Sequence, residues 1–178
     1  IILLWIVLLV CFLIAFSFFR NRRLAKENRW QSLVTSTITD AIINNEVIIN
    51  PHVQLNMKHE GFRNMFLNDL VATEGQFTGA SFKNIKGLFQ EYGLEPYVLE
   101  KLNNRKDFVV AKGIRELHVM KVDTAIPILL EKLNHPSPEI YQQAQYAIVY
   151  LQGFGGLAFL NDLKHPLSDW QQVKLLSC

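Results

Sequence analysis

The sequence predicts an all-α protein in which a transmembrane helix at the amino end precedes stacked helical hairpins. Three observations predict it. Ile1 to Phe19 contains a single polar residue, Ser17. The segment Glu95-Pro96-Tyr97-Val98-Leu99-Glu100-Lys101-Leu102-Asn103 recurs 31 residues later as Ile126-Pro127-Ile128-Leu129-Leu130-Glu131-Lys132-Leu133-Asn134. The helices that follow both copies also correspond, Gly113-Ile114-Arg115-Glu116-Leu117 lining up with Ala147-Ile148-Val149-Tyr150-Leu151 at an offset of 34. Self-similarity at about 30 to 45 residues marks supersecondary units that bury their apolar faces only by stacking on one another.

A chain of 178 residues suffices for one folded domain with a real core. Ile1 stands where an initiator Met would, and a helical pattern is still running at Cys178, so we expect a piece of a longer chain. The two cysteines, Cys11 in the apolar run and Cys178 at the end, offer no disulfide framework and suit a reducing compartment.

Residues 1–19 rise roughly 28 Å as a helix, against a hydrocarbon core of about 30 Å. Without Pro or Gly, all backbone hydrogen bonds of such a helix are internal. Arg20, Arg22, Arg23, Lys26 and Arg29 follow in residues 20–30, with Glu27 the one opposing charge. Positive charge beside a span keeps that side in the cytoplasm. The expected topology is a single pass in the part seen, with residues 20–178 cytoplasmic. A cleaved signal peptide would carry its charge before the apolar run, the reverse of the order here. A lipoprotein signal would place small residues before Cys11, where Leu8-Leu9-Val10 stand, and a buried core helix would show a polar face. Further spans before Ile1 would preserve this placement if even in number.

Residues 20–30 carry net +4 of a total of +2, so the remainder sums to −2. That leaves no basic surface on the folded part for nucleic acid. The partner expected for Arg20, Arg22, Arg23, Lys26 and Arg29 is the anionic headgroup layer, with the bilayer itself taking residues 1–19.

Trp30, Leu33, Val34, Ile38, Ala41 and Ile42 mark one helical face, ending near Asn44-Asn45. Residues 31–55 are therefore read as an amphipathic helix and an extended connector, because Asn50-Pro51 interrupts Val47 to Leu55. A two-stranded element in that connector stays open. Residues 56–93 form a helical hairpin expected to pack on the array. Phe62, Met65, Phe66 and Leu70 line its first helix, and Phe82, Ile85, Leu88, Phe89 and Tyr92 its second, with Gly93 at the left-handed position past its end.

Residues 94–178 hold the repeats. Thr124 is placed to cap a helix with Pro127 in its first turn and Ile126, Leu129, Leu130 and Leu133 as its buried stripe. Ser137 caps the next, with Pro138 first and Glu139 complementing the helix dipole. Ile140, Ala144, Ala147, Ile148 and Leu151 give its inner face, and Gly153 closes it. Leu157, Leu160 and Leu163 begin a further helix, and Ser168 caps a last one carrying Trp170 and Val173.

Ala125-Ile126-Pro127-x-Leu129-Leu130-x-x-Leu133 followed by Pro138-Glu139-Ile140-x-x-x-Ala144-x-x-Ala147 resembles a HEAT repeat, the two-helix unit of α-solenoids. The resemblance is good over residues 122–163, fair over 94–121 and architectural over 56–93. The family often carries an arginine two residues before the middle of the second helix, stacking from unit to unit. Tyr141 stands there, which takes this chain away from that polar ladder. With its apolar amino-terminal run, Ala111-Lys112-Gly113-Ile114, Gly155-Gly156-Leu157-x-Phe159-Leu160 and Trp170-Gln171-Gln172, the chain is similar to bacterial membrane-anchored HEAT-repeat proteins of undefined role. The resemblance implies a short right-handed α-solenoid of HEAT-like hairpins and a cytoplasmic scaffold.

Catalytic chemistry is not assembled by the sequence. His52, His59, His118, His135 and His165 stand apart from second ligands at metal spacing, and His135 and His165 precede prolines in turns. Gly79-Ala80-Ser81-Phe82-Lys83 lacks the strand and second glycine of a nucleophile elbow. Gly153-Phe154-Gly155-Gly156 joins two helices, whereas a phosphate-cradling loop leaves a strand and is followed by a lysine. Asp69, Asp107, Asp162 and Asp169 are scattered. The expectation is a non-enzyme with no cofactor, no metal and no small-molecule substrate.

One surface invites a protein partner. Tyr146 and Tyr150 lie one turn apart on the helix from Pro138 to Gln152, roughly 80 to 120° from its buried stripe, and Gln142 and Gln143 flank them. Second helices of solenoid units line the face where partners bind, and tyrosine suits interfaces through its apolar ring and polar tip. The plainer alternative packs both rings against the next repeat. The expected function is a membrane-anchored, non-enzymatic scaffold or adaptor holding a protein partner at the cytoplasmic face. The alternative is a regulatory, non-catalytic subunit of a membrane enzyme or transport system, such as one for polysaccharide synthesis or export.

Overall fold

A computed structural model describes the backbone of residues 2–73, 76, 79–164, 167 and 169–176, with side chains at all of these except 2–4, 6–8, 162, 170, 174 and 176. Among the described residues every regular element is helical, so the chain is all-α. The elements are α1 (Ile2–Ile43), α2 (Pro51–Asn56), α3 (Glu60–Ala72), α4 (Ala80–Glu91), α5 (Leu94–Lys101), α6 (Asp107–Val119), α7 (Ile126–Glu131), α8 (Pro138–Gln152) and α9 (Asp169–Leu176). Two 3-10 segments, Asp123–Ala125 and Gly153–Asp162, flank α7 and α8.

The apolar run and the amphipathic face that follows it belong to one helix. At 42 residues, α1 is roughly 63 Å long, and nothing in residues 2–43 is Pro or Gly to bend it. Its two halves differ in what covers them. Leu9, Phe12, Leu13, Ile14, Phe16 and Phe19 are exposed, whereas Val34, Ile38 and Ala41 are buried against the rest of the chain. Among the described residues no helix is long and apolar enough to cross a membrane. The expected span, residues 1–19, includes 1–4 and 6–8, which lie outside the described side chains.

Trp30 is where α1 enters the core. Its Nε1–H donates to Asn56 Oδ1 at 3.0 Å, and its ring meets Phe62 edge-on with centroids 5.6 Å apart. From there an aromatic line runs through Phe66 to Tyr92, centroids 6.4 and 5.4 Å apart, an arrangement that adds to the area buried. The Tyr92 hydroxyl accepts from the Asn50 backbone N–H at 2.9 Å, and Asn84 Nδ2 donates to the Ala41 carbonyl at 3.0 Å. The first bond ties the end of α4 to the loop between α1 and α2, and the second ties α4 to α1.

That loop corrects one expectation. The connector over 47–55 holds the short helix α2, because Asn50 Oδ1 accepts from the His52 backbone N–H at 2.9 Å and Pro51 occupies the first turn. The Asn-Pro pair read as an interruption is a helix start: the missing N–H of proline is harmless there, and the asparagine supplies the cap.

Beyond α4 the helices pack as successive pairs, α5 with α6 and α7 with α8, and α6 lies along α8 in the most extensive contact of the fold. Gly93, at φ 62 and ψ 38, takes the left-handed conformation its position predicts. Gly113 permits a close approach: a Cβ there would fall 3.1 Å from Lys101 Cβ and 3.2 Å from Leu102 Cδ2. In α8, Ile140, Ala144, Ala147 and Ile148 are buried as the pattern predicts, with Leu151 half-buried.

Three details of the repeats differ from the sequence reading. Thr124 lies within a 3-10 turn, and its hydroxyl donates to Glu95 Oε1 at 2.8 Å in place of capping α7. Leu130 is exposed while Leu129 and Leu133 are buried, and α7 spans only Ile126–Glu131. The helix expected from Leu157 is the 3-10 segment Gly153–Asp162, in which Phe159 is buried and Leu160 exposed. Side chains three apart eclipse in a 3-10 helix, so the i, i+3 spacing that suggested an α-helix serves this geometry as well. Ser137 sits at the N-cap position of α8 with extended backbone and Pro138 in the first turn, but its side chain makes no capping hydrogen bond; its backbone N–H donates to His135 Nδ1 at 3.1 Å. The expected cap Ser168 and the Trp170 side chain lie outside the described residues, Val173 is exposed, and Leu175 is the residue of α9 found buried.

The 3-10 segment returns onto α8 so closely that a Cβ on Gly156 would lie 2.7 Å from the Ile148 carbonyl oxygen and 3.0 Å from Val149 Cα. Backbone cannot yield as a side-chain tip can. Gly156→Ala is therefore expected to lower stability by about 1–3 kcal/mol, whereas Gly155→Ala, which meets open space, changes it by a few tenths. Urea unfolding of the two variants side by side checks this, and equal midpoints would refute the close approach.

Candidate functional site

The four residues singled out on α8 lie where α6, α8 and α9 meet. Gln142 is exposed, and Gln143, Tyr146 and Tyr150 are half-buried. The two tyrosine rings, 6.1 Å apart, both turn to His118 of α6, at centroid distances of 5.2 and 5.0 Å. His118 is buried, with Nδ1 3.2 Å from the Ile114 carbonyl oxygen. The tyrosines thus belong to the seam between the two hairpins, while Gln142, Gln143 and Tyr146 also line a cleft of about 350 Å³ closed by Phe108, Gln171 and Leu175.

A second cleft, of about 560 Å³, opens between α3, α5 and α6. Its cationic side is Arg63, Lys101, Lys106 and Lys112, and its carboxylates are Glu60 and Glu100. Phe108, 61% exposed, lines both clefts and forms the ridge between them. Sequence reasoning did not find this region, because its residues come from three helices and share no motif.

Under the second cleft lies a buried ion pair. Lys101 Nζ donates to both oxygens of Glu116, at 2.8 and 3.0 Å, with the two side chains 8% and 2% exposed. Lys112 Nζ stands farther off, 3.9 Å from Glu116 Oε1. Burial lowers the pKa of the Lys101 ammonium, against the opposing pull of Glu116. Tyr97 stands near two cations: the Arg63 guanidinium is 4.3 Å and the Lys101 ammonium 4.7 Å from its ring centroid. Burial, and after it the Glu60 carboxylate, raises the Tyr97 phenol. Arg63 Nη1 donates to the Met57 carbonyl at 2.7 Å, whereas its buried Nε finds no hydrogen-bond partner among the described residues.

The basic cluster stays on the open stretch of α1. Arg20, Arg22, Arg23, Lys26 and Arg29 are all exposed. Arg22 lies 4.4 Å over the Phe18 ring and Lys26 4.3 Å over Trp30, and Arg23 Nε donates to Glu27 at 2.9 Å. Among the described residues no group of three or more His, Cys, Asp or Glu side chains converges to hold a metal. No family model, characterised protein or solved structure matches the chain.

The ion pair generates two expectations. Lys101→Met strands the Glu116 carboxylate in the core and should destabilise by about 3–5 kcal/mol, whereas Lys101→Met with Glu116→Leu recovers most of that loss. Because the folded pKa of Lys101 lies below its ordinary 10.5, the folded chain holds fewer protons than the unfolded chain in the window just under 10.5. Stability contributed by this group therefore rises with pH there, and the double variant should lack that rise. Urea midpoints measured from pH 7 to 10.5 test both; a double variant as unstable as the single one would contradict the geometry.

Proposed function

We propose that the chain is a membrane-anchored, non-enzymatic adaptor. Residues 1–19 cross a bilayer once, Arg20, Arg22, Arg23, Lys26 and Arg29 rest on anionic headgroups at the cytoplasmic side, and the paired helices beyond form a short right-handed solenoid of HEAT-like hairpins that holds a protein partner. The observation that carries this reading is the continuity of α1. One helix displays exposed Leu9, Phe12, Leu13, Ile14, Phe16 and Phe19 on its first part and buries Val34, Ile38 and Ala41 in the helical body on its second. A contiguous exposed apolar surface of this size marks a membrane or protein contact, and a span that continues as a core helix holds its cargo at a fixed height. The pairing of α5 with α6 and α7 with α8, with α6 against α8, supports the hairpin array. The clefts at Phe108 supply a partner surface.

Two measurements test the two halves. Leu9→Lys with Leu13→Lys and Phe16→Lys should move the chain, expressed in cells, from the carbonate-resistant membrane fraction to the soluble one, since each lysine near mid-span costs about 2.5–3.5 kcal/mol; retention in the membrane would end the anchor reading. Photo-crosslinking side chains placed at Gln142 and Gln143 should capture the same discrete adduct. The same probe at Phe154, 84% exposed beyond the far end of α8, should not. Silence at both glutamines would remove the adaptor.

A further inference from the structure

We infer that the two clefts meeting at Phe108 form one groove that takes an extended acidic segment of the partner protein. This inference rests on the adaptor reading and gives its partner a chemistry.

Charge decides the class of occupant. Outside residues 20–30 the chain sums to −2, yet the larger cleft gathers Arg63, Lys101, Lys106 and Lys112 against Glu60 and Glu100. Lys101 is already neutralised by Glu116 at 2.8 Å. The charge offered to a ligand is then that of Arg63, Lys106 and Lys112, still in excess of the two carboxylates. Lys106 is exposed, with its ammonium 5.9 Å from the Phe108 ring. Lys112 is held only loosely, 3.9 Å from a Glu116 oxygen that Lys101 already engages. Arg63 lines the cleft and is fixed by the Met57 carbonyl at 2.7 Å and by the Tyr97 ring. A guanidinium pinned in this way offers its remaining donors at little entropic cost, the arrangement that suits a carboxylate.

The smaller cleft decides the form of the occupant. Among the described residues Glu139 is its one formally charged lining residue, and the polar groups beside it include the carboxamides of Gln142, Gln143, Gln145 and Gln171. A carboxamide both donates and accepts, as a peptide group does, so this end suits backbone rather than a second cluster of charges. Gln145 is already engaged, donating to the Leu133 carbonyl and accepting from Gln171, both at 3.3 Å. That leaves Gln142 and Gln143 at the opening to meet a partner chain. Between the clefts the exposed Phe108 ring offers an apolar contact. Carboxylates on the cation side, an apolar side chain at the ridge and backbone at the glutamines describe an extended acidic peptide with a hydrophobic residue among its carboxylates. A polyphosphate backbone fits less well, because it brings neither an apolar side chain for the Phe108 ridge nor peptide groups for the carboxamides of Gln142 and Gln143.

The test is a titration of the 178-residue chain, held in phosphatidylcholine nanodiscs, with the labelled peptide Glu-Glu-Leu-Glu-Glu-Leu-Glu-Glu, read by fluorescence anisotropy. Lys106→Glu with Lys112→Glu should weaken binding by about ten-fold or more and flatten its salt dependence, and Gln142→Ala with Gln143→Ala should weaken it about three-fold. Both pairs are at or near the surface, so the variants keep the fold, which circular dichroism verifies. Changing Arg20, Arg22, Arg23 and Lys26 together to Gln should leave binding intact, and a Lys-Lys-Leu-Lys-Lys-Leu-Lys-Lys peptide should not bind. Unchanged affinity in the lysine reversal overturns the inference, as does binding that disappears with the juxtamembrane arginines or is matched by the basic peptide. The peptide is supplied directly, so a failed titration removes the groove and leaves the adaptor reading to its own crosslinking test.

Discussion

The close approach of paired helices at one small residue per hairpin is the constraint from which the repeat region follows. Gly113 holds that place in the first hairpin and the buried Ala147 in the second. With the Gly113 site only 3.1 Å from Lys101 Cβ, the stem of Lys101 is drawn into the seam, and its ammonium must find a counter-charge inside the protein. Glu116, three residues past Gly113 and so on the same face of α6, supplies it. An unpaired charge there would cost several kcal/mol, whereas the pair is near break-even against an apolar replacement. The ion pair is thus a consequence of tight helix pairing and not its driving force. The drive comes from burial of Val98, Leu102, Ile114 and Leu117 around it.

The same site diverges in the second hairpin. In the alignment of the two copies Lys132 falls on Lys101 and Tyr150 on Glu116. Lys132 is half-buried, and Tyr150 turns its ring to His118 of the preceding hairpin. A polar pair within one unit becomes an aromatic contact between units. Together with Tyr146, whose ring also meets His118, this gives α6 and α8 a joint of rings. Such groups are directional, so they fix the rotation of one hairpin on the next more narrowly than leucine contacts would.

Much of this was legible in the sequence, and what was not has physical causes. Helices α3, α4 and α8 show through their apolar spacing, and Gly93 through its place past the last periodic residue. Helix α2 was hidden because Asn50-Pro51 has the same letters whether it breaks a strand or starts a helix. Only the Asn50 Oδ1 bond to the His52 N–H decides between them. The 3-10 segment was hidden because leucines three apart suit both helix types, and the deciding fact, the approach of Gly156 to the Ile148 carbonyl, is tertiary. The cleft at Arg63, Tyr97 and Lys112 left no trace, since three helices contribute to it. The tyrosine pair stands out by its spacing, but helical geometry alone does not say which neighbour fills a flank, and here His118 does.

The amino-terminal helix binds these pieces into a mechanical whole. Trp30 is held on several sides: by Lys26 over its ring, by Asn56 at its Nε1–H, and by Phe62 edge-on. From that point the α1 backbone continues uninterrupted in both directions, with no Pro or Gly among residues 2–43 to act as a hinge. The stretch from Arg20 to Arg29 is therefore a charged rod of about 15 Å rather than a linker. A flexible linker would let the helical body sample a wide volume; a rod fixes both its distance and its heading. If residues 1–19 sit in a bilayer and the Phe108 groove holds a partner as proposed, the groove is presented at a set height, and the position of that partner above the lipid is written into the length of one helix.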